Sequence, residues 1–180
     1  MKHHLKWYIG AAALISGGML VYQACKTIPV NATAVKPFDI ERYLGRWYEI
    51  ARFDYRFERN LNNVTAQYAW GEDGKITVTN RGFNTKTGEW KQAEGEAKFV
   101  GAKDEARLKV SFFGPFYSGY NVIAIDPEYR YALVAGESLK YLWILSREKT
   151  IPESVKAAYL RQAESIGYDT NKLIWVAHDK

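Results

Sequence analysis

The stretch QAEGEAKFVGAKDEARLKVSF, residues 92–112, contains two segments in which apolar and polar residues alternate one by one. The first segment covers residues 92–99 and the second covers residues 106–112, with Gly101 in the link between them. Successive side chains of a β-strand point to opposite faces, so strict alternation indicates a strand with one buried and one solvated face. The stretch therefore predicts two antiparallel strands joined by a short link.

Similar short segments, separated by turn residues at intervals of roughly 8–12 residues, recur along most of the chain. They predict an all-β fold, an eight-stranded antiparallel up-and-down β-barrel with one C-terminal α-helix, in which closure removes the free sheet edges. The charged strand faces argue against an outer-membrane pore, because the outer face of a pore is apolar. The predicted strands are 47–53, 64–70, a segment around Ile76 and Val78, 92–99, 106–112, 119–125, 130–135 and 140–146; a helical turn at 39–44 precedes them, and a helix from Pro152 to Gly167 and a short strand at 173–176 follow.

The N-terminus has the layout of an export signal. Lys2 and Lys6 precede an apolar run over residues 7–22, and Gln23-Ala24-Cys25 follows that run. A positive start, an apolar core and a small residue before a cysteine are typical of a bacterial lipoprotein signal, in which Cys25 is lipidated. Two alternatives stay open: an uncleaved membrane anchor, and ordinary signal-peptidase cleavage near Ala34. The expected organisation is a signal peptide or anchor at 1–24, a tether at 25–37 and the barrel with its C-terminal helix at 38–177.

The composition argues against several classes of function within the barrel domain. The three histidines, His3, His4 and His178, lie at the chain ends, and the single cysteine, Cys25, precedes the domain. These residue types supply most general bases, thiol nucleophiles and soft metal ligands, so we expect no catalytic residues, no metal and no cofactor. The formal net charge of +5 is not arranged as a basic stripe with interleaved aromatic residues, so we expect no nucleic-acid partner.

Three short motifs resemble signature sequences of the lipocalin family. Gly45-Arg46-Trp47, at the start of the first strand, is similar to the G-x-W motif, and Arg147, after the eighth strand, is similar to the lone arginine of the third motif. The loop that begins at Asp126 is similar to the T-D-x-x-Y motif, with either Tyr129 or Tyr131 as its tyrosine. The resemblance implies a structural role for these residues: they meet at the closed end of the barrel, where Arg147 lies across the ring of Trp47.

Two longer runs resemble one branch of that family, the lipid-anchored lipocalins of the bacterial outer membrane. They are RYLGRWYEIARFD, residues 42–54, and LKVSFFGPFY, residues 108–117. The resemblance implies a protein of the cell envelope that is attached to the outer membrane through lipidated Cys25 and faces the periplasm. It also implies that the barrel binds and stores or transports lipids such as fatty acids or lysophospholipids. A homodimer is compatible with the sequence but cannot be deduced from it.

The up-and-down order separates a closed end of the barrel from an open mouth. Because the first strand starts at the closed end, every second loop returns to the mouth. Arg56 and Arg59 lie in the first mouth loop, where they are candidates to pair with an anionic head group. The expected mouth loops are 54–63, 82–89, 113–118 and 136–139.

The inner wall follows from the two-residue period of the strands. Small inward-facing residues leave room for a ligand, which favours a cavity over a barrel that is filled by its own side chains. Two other functions stay open: an enzyme on the same scaffold that acts on a hydrophobic substrate, and a structural envelope protein. The predicted ligand-binding residues are Phe53, Ala66, Tyr68, Ala93, Gly95, Ala97, Leu108, Val110, Phe112, Tyr117, Tyr120, Val122, Tyr141, Trp143 and Leu145.

Overall fold

The computed structural model describes residues 27–180, and its elements follow the order expected from the sequence. The leader and Cys25 lie outside these residues. Within residues 27–180, no helix is long and apolar enough to cross a membrane. The elements are α1 (Ile40–Tyr43), β1 (Gly45–Arg52), β2 (Leu61–Trp70), β3 (Ile76–Asn84), β4 (Glu89–Phe99), β5 (Arg107–Phe113), β6 (Phe116–Ile125), β7 (Tyr131–Ala135), β8 (Leu142–Ser146), α2 (Glu153–Ile166), a 3-10 turn (Thr170–Lys172) and β9 (Ile174–Trp175).

Strand β1 closes the barrel because it pairs with a strand on either side. Tyr48 of β1 lies opposite Thr65 of β2 and also opposite Ser146 of β8. Every strand from β1 to β8 is antiparallel to the next one along the chain. The short β9 also pairs with β1, with Trp175 opposite Ala51. The predicted eight-stranded antiparallel barrel with a C-terminal α-helix is confirmed.

Apolar side chains form two clusters, an inner cluster inside the barrel and an outer cluster between the barrel wall and α2. In the outer cluster, Tyr159 and Ala163 of α2 belong to the same packed group as Leu133 of β7. Because α2 covers this part of the wall, all five residues of β7 are buried, and burial does not alternate along that strand. Helix α2 begins after Pro152 and ends at Gly167, whose φ of 112° is the left-handed conformation that glycine adopts at helix ends.

The closed end of the barrel is sealed by α1 and by Arg147. The Arg147 guanidinium lies 3.9 Å from the centroid of the Trp47 ring, in the position that the resemblance implied. Its Nη2 donates to the carbonyls of residues 42, 43 and 44 at 2.8, 3.1 and 2.9 Å. The guanidinium thus supplies hydrogen bonds to carbonyl groups at the C-terminal end of α1. The fully buried Trp47 donates through Nε1 to the Tyr43 carbonyl at 2.8 Å. Gly45 has a φ of 96°, and a Cβ there would lie 3.3 Å from the guanidinium. Both observations explain why this position is occupied by glycine.

The loop between β6 and β7 is organised by Asp126. The Asp126 carboxylate accepts hydrogen bonds from the N–H groups of Arg130 and Tyr131, both at 2.6 Å. Tyr129 packs in the inner cluster, where its hydroxyl accepts from the Asp39 N–H at 2.9 Å. Tyr131 belongs to the outer cluster. Of the two candidate tyrosines, Tyr129 is therefore the one that helps to seal the barrel.

Candidate functional site

The inner wall is buried near the closed end and partly exposed further toward the mouth. Trp47, Tyr68 and Val122 are all within the buried inner cluster. Ala66 and Trp143 also pack against this cluster, yet both retain partial exposure. A side chain that points into a closed barrel reaches solvent only through the mouth or a gap in the wall, so the upper interior is accessible.

Most of the residues predicted to line the interior do lie on the inner wall. The register places Ala66 opposite Asn80 and Asn80 opposite Ala93, so these three side chains share one face. Gly95 lies on the same face, opposite Val78. Contact of any of them with a ligand stays a prediction. The other predicted residues in the inner cluster or packed against it are Tyr68, Ala97, Leu108, Val110, Phe112, Tyr120, Val122, Trp143 and Leu145.

Phe53 lies on the opposite side of the wall from its predicted position. It belongs to the outer cluster, with its ring centroid 5.7 Å from that of Tyr168. The register of β1 against β8 shifts between Glu49 and Ala51, which marks a β-bulge. Beyond a bulge, counting in twos from Trp47 gives the wrong face, and the interior placement of Phe53 is wrong for this reason.

Tyr117, Ala93 and Tyr141 also differ from the positions expected of enclosed wall residues. Tyr117 points outward, because its hydroxyl donates to Glu96 and its ring lies 4.3 Å from the Lys98 ammonium. Ala93 is on the inner face but exposed, since the pairing of β4 with β5 extends only from Glu96 to Phe99. Tyr141 lies in the mouth loop before β8, stacked on Trp143 with ring centroids 6.3 Å apart.

The two arginines predicted to bind a head group differ in their surroundings. Arg59 forms an exposed ion pair with Asp54, with 2.8 Å between nitrogen and oxygen. Arg56 lies over the ring of Phe57, 4.4 Å from its centroid. Arg59 is therefore already neutralised by a carboxylate of the same loop, which leaves Arg56 as the better candidate for a head group.

The interior also contains a charged network that the sequence analysis missed. Arg52 and Glu49 are 2% and 5% exposed, and the guanidinium donates to the carboxylate at 2.8 Å. Arg52 also donates to the carbonyls of Glu58 and Leu61 at 2.8 and 3.1 Å. The Glu58 carboxylate accepts from Nε1 of Trp143 at 3.1 Å. The network thus connects the first mouth loop to the upper wall. Its sequence signal was a glutamate and an arginine three residues apart among apolar residues of the first strand.

Burial raises the pKa of both interior carboxyls, because the charged form loses its hydration. At Glu49 the nearby charge of Glu58 adds to the rise, and Arg52 opposes it. The folded protein therefore binds more protons than the unfolded chain between the ordinary and the raised pKa. It follows that these carboxyls favour folding at low pH, and that this contribution is lost as the pH rises from the ordinary carboxyl range through the raised pKa values.

Three tyrosine hydroxyls meet near the closed end of the interior. Tyr43 comes from α1, Tyr68 from β2 and Tyr120 from β6. The Tyr120 oxygen lies 2.6 Å from that of Tyr43 and 2.7 Å from that of Tyr68. Burial raises the pKa of all three phenols, so each carries its proton at neutral pH. This trio was also missed, since Tyr43 reaches the interior from a helix outside the barrel wall.

A closed eight-stranded barrel with a sealed floor, an open mouth and a helix on its outer wall defines the lipocalin class of fold. The chain belongs to this family, because the family model of the lipocalin-like domain matches residues 38–178. It is 54% identical over 165 residues to the outer membrane lipoprotein Blc of Escherichia coli strain K12, across 92% of this chain and 93% of that one. It is 45% identical over 158 residues to the protein of the same name from Vibrio cholerae, across 87% and 92%.

Solved structures agree with this assignment of the fold. Insecticyanin from the tobacco hornworm Manduca sexta aligns with a TM-score of 0.64 at 21% identity, across 81% of this chain and 84% of that one. The names of the bacterial relatives agree with the lipoprotein signal of the leader and with the outer-membrane localisation that the resemblance implied.

Proposed function

We propose that this protein binds single-chain lipids at the cell envelope, with the acyl chain inside the barrel and the polar head at the mouth. The observation that carries the proposal is an inner wall whose apolar side chains remain partly exposed above a sealed floor. Val110, Phe112 and Trp143 are such side chains. Burial of an acyl chain against them contributes about 0.8 kcal/mol per methylene before ordering costs.

The start of the described chain supports loading from the membrane. The Thr27 carbonyl accepts from the Asn121 side chain at 2.6 Å, and the same amide donates to the carbonyl of Gly136 in the mouth loop between β7 and β8. Cys25 precedes Thr27 by two residues, so a lipid on Cys25 is attached within about 7 Å along the chain. The rim of the mouth carries Phe113 and Phe116, which are 64% and 80% exposed. An anchor at Cys25 would hold this apolar rim close to the membrane surface.

A series of saturated fatty acids with eight to sixteen carbons tests the proposal. Affinity should rise stepwise with chain length, because each further methylene is buried in the barrel. Trp143 should report entry by a change in fluorescence, and Trp143→Ala should weaken binding more than Arg56→Ala. The control is Trp175→Ala, which alters an exposed tryptophan on the outside of the barrel. Affinity that is independent of chain length, or normal binding by a folded Trp143→Ala protein, would contradict the proposal.

We infer further that the protein binds its ligand without converting it. Buried carboxyls with raised pKa values also occur in active sites, so Glu49 and Glu58 are the residues that an enzyme on this scaffold would use. Both carboxyls are engaged by neighbours, Glu49 by Arg52 and Glu58 by Trp143. Mass spectrometry of each fatty acid after incubation should recover it unchanged. A product that forms with the native protein but not with Glu58→Gln would instead indicate an enzyme.

A further inference from the structure

The three tyrosine hydroxyls of the interior carry one more proton than the hydrogen bonds among them require. Tyr120 contacts both Tyr43 and Tyr68, and within residues 27–180 these hydroxyls have no other hydrogen-bond partner. Three neutral hydroxyls carry three protons, and two hydrogen bonds use two of them. Whichever way the bonds run, one O–H is left to donate to an acceptor outside the trio.

Asn80 adds a second unsatisfied group to the same interior. It lies on the inner face of β3 between the small residues Ala66 and Ala93. Its Oδ1 is buried and has no hydrogen-bond partner in the described part of the chain. Val78, one two-residue step nearer the closed end, lies opposite Tyr68, and such a step is about 7 Å. A buried carbonyl oxygen without a partner costs stability, so packing alone does not explain this residue.

We propose that the tyrosine trio and Asn80 form a polar subsite inside the barrel that binds the hydroxyl group of a hydroxylated lipid. A hydroxyl both accepts and donates hydrogen bonds, so it can accept from the spare tyrosine O–H or donate to Oδ1 of Asn80. An ionised group is disfavoured at this depth, because a charge loses its hydration in a poorly hydrated interior. The inference rests on the proposed function, since it names the kind of lipid that the same barrel selects.

This subsite reverses the preference of a purely apolar barrel. In an apolar interior, a hydroxyl loses its hydrogen bonds to water, so the hydroxylated chain binds more weakly than the plain one. In this interior, the plain chain leaves the amide and the tyrosine proton unpaired, and the hydroxylated chain satisfies them. We therefore expect the hydroxylated chain to bind about five- to tenfold more tightly.

Competitive titration of the protein with matched lipids tests the sign of this preference. The first pair is 12-hydroxyoctadecanoate and octadecanoate, with 2-hydroxyoctadecanoate as the control, because its hydroxyl stays beside the head at the mouth. The second pair is 1-hexadecanoylglycerol and methyl hexadecanoate, which detects a head-group hydroxyl that enters the barrel instead. Tighter binding of the hydroxylated member of either pair supports the subsite, and the pair identifies the source of the hydroxyl.

The outcomes separate this inference from the proposed function. Weaker or equal binding of the hydroxylated member in both pairs overturns the subsite and leaves lipid binding intact. A gain for 2-hydroxyoctadecanoate equal to that for the 12-hydroxy lipid also overturns it, because the gain would then arise outside the interior. Failure of every lipid to bind overturns the proposed function and the subsite together.

Variants of Asn80 locate the subsite on the wall. Asn80→Val removes the amide and should lower the ratio of the affinity for 12-hydroxyoctadecanoate to that for octadecanoate. Thr79→Val alters the adjacent residue on the outward face of the same strand and is the matched control. Asn80→Ala replaces the valine variant if circular dichroism shows that the latter does not fold. A full preference in a folded Asn80 variant overturns the subsite as assigned.

Discussion

Replacement of Trp47 by alanine tests whether the closed end stabilises the barrel without taking part in ligand binding. Trp47 is fully buried, Arg147 lies 3.9 Å above its ring, and Nε1 donates to Tyr43 at 2.8 Å. Truncation of a buried tryptophan costs about 3–5 kcal/mol. The cation–π contact, about 0.5–2 kcal/mol, and the hydrogen bond, about 1 kcal/mol, are lost with it, which places the expected cost near the top of that range. For a domain of this size, the melting temperature should fall by about 10–20 °C.

Urea and thermal unfolding measure this loss, and fatty-acid titration of the folded fraction measures binding. Trp47→Phe retains an apolar ring and should recover much of the stability. Trp175→Ala removes a tryptophan that is 45% exposed and should change the free energy of unfolding by no more than about 0.5 kcal/mol. An unchanged melting temperature of Trp47→Ala together with lost ligand binding would refute the reasoning, because it would place Trp47 in the ligand site.

Three further predictions concern the anchor, the mouth and the interior carboxyls. Cys25→Ser should move the protein from the membrane fraction to the soluble fraction; recovery in the same fraction with the same gel mobility would favour the uncleaved anchor. In that soluble background, Phe116→Ser should weaken sedimentation with liposomes but not fatty-acid affinity, and unchanged sedimentation would argue against a mouth that faces the membrane. Glu58→Gln should reduce the loss of stability as pH rises above the ordinary carboxyl range, whereas the exposed Glu89→Gln should not; coincident profiles for native and Glu58→Gln proteins would contradict the role of burial.

Alternation and turn residues were sufficient to predict all eight strands, but not where each strand ends near the mouth. Strand β2 was expected from residue 64 and begins at Leu61. Asn62 and Asn63 are typical turn residues, so local sequence argued against a strand there. In the fold, Asn62 lies opposite Phe83, and the Asn63 side chain donates to Asp179 at 2.8 Å. These partners are distant in the sequence, and no local pattern could have supplied them.

The closed end and most of the inner wall were also predictable, whereas the polar interior was not. The bulge between Glu49 and Ala51 carries no glycine or proline that would have marked it in the sequence. Its effect is to place Glu49 and Arg52, three residues apart, close enough for an ion pair inside the barrel. The same bulge turns Phe53 outward. One backbone irregularity thus accounts both for a predicted wall residue that was wrong and for a charged network that was missed.

The inner and outer clusters divide stability and binding between the two faces of the wall. In the outer cluster the polar tip of Tyr159 is satisfied, since it donates to the Tyr131 carbonyl at 2.9 Å. The interior instead holds the buried ion pair of Glu49 and Arg52 and the unpaired oxygen of Asn80. Such groups stabilise a fold less than well-packed apolar side chains would. Because α2 provides a second apolar cluster outside the barrel, the fold does not depend on a fully apolar interior, and the interior can carry the groups that distinguish one lipid from another.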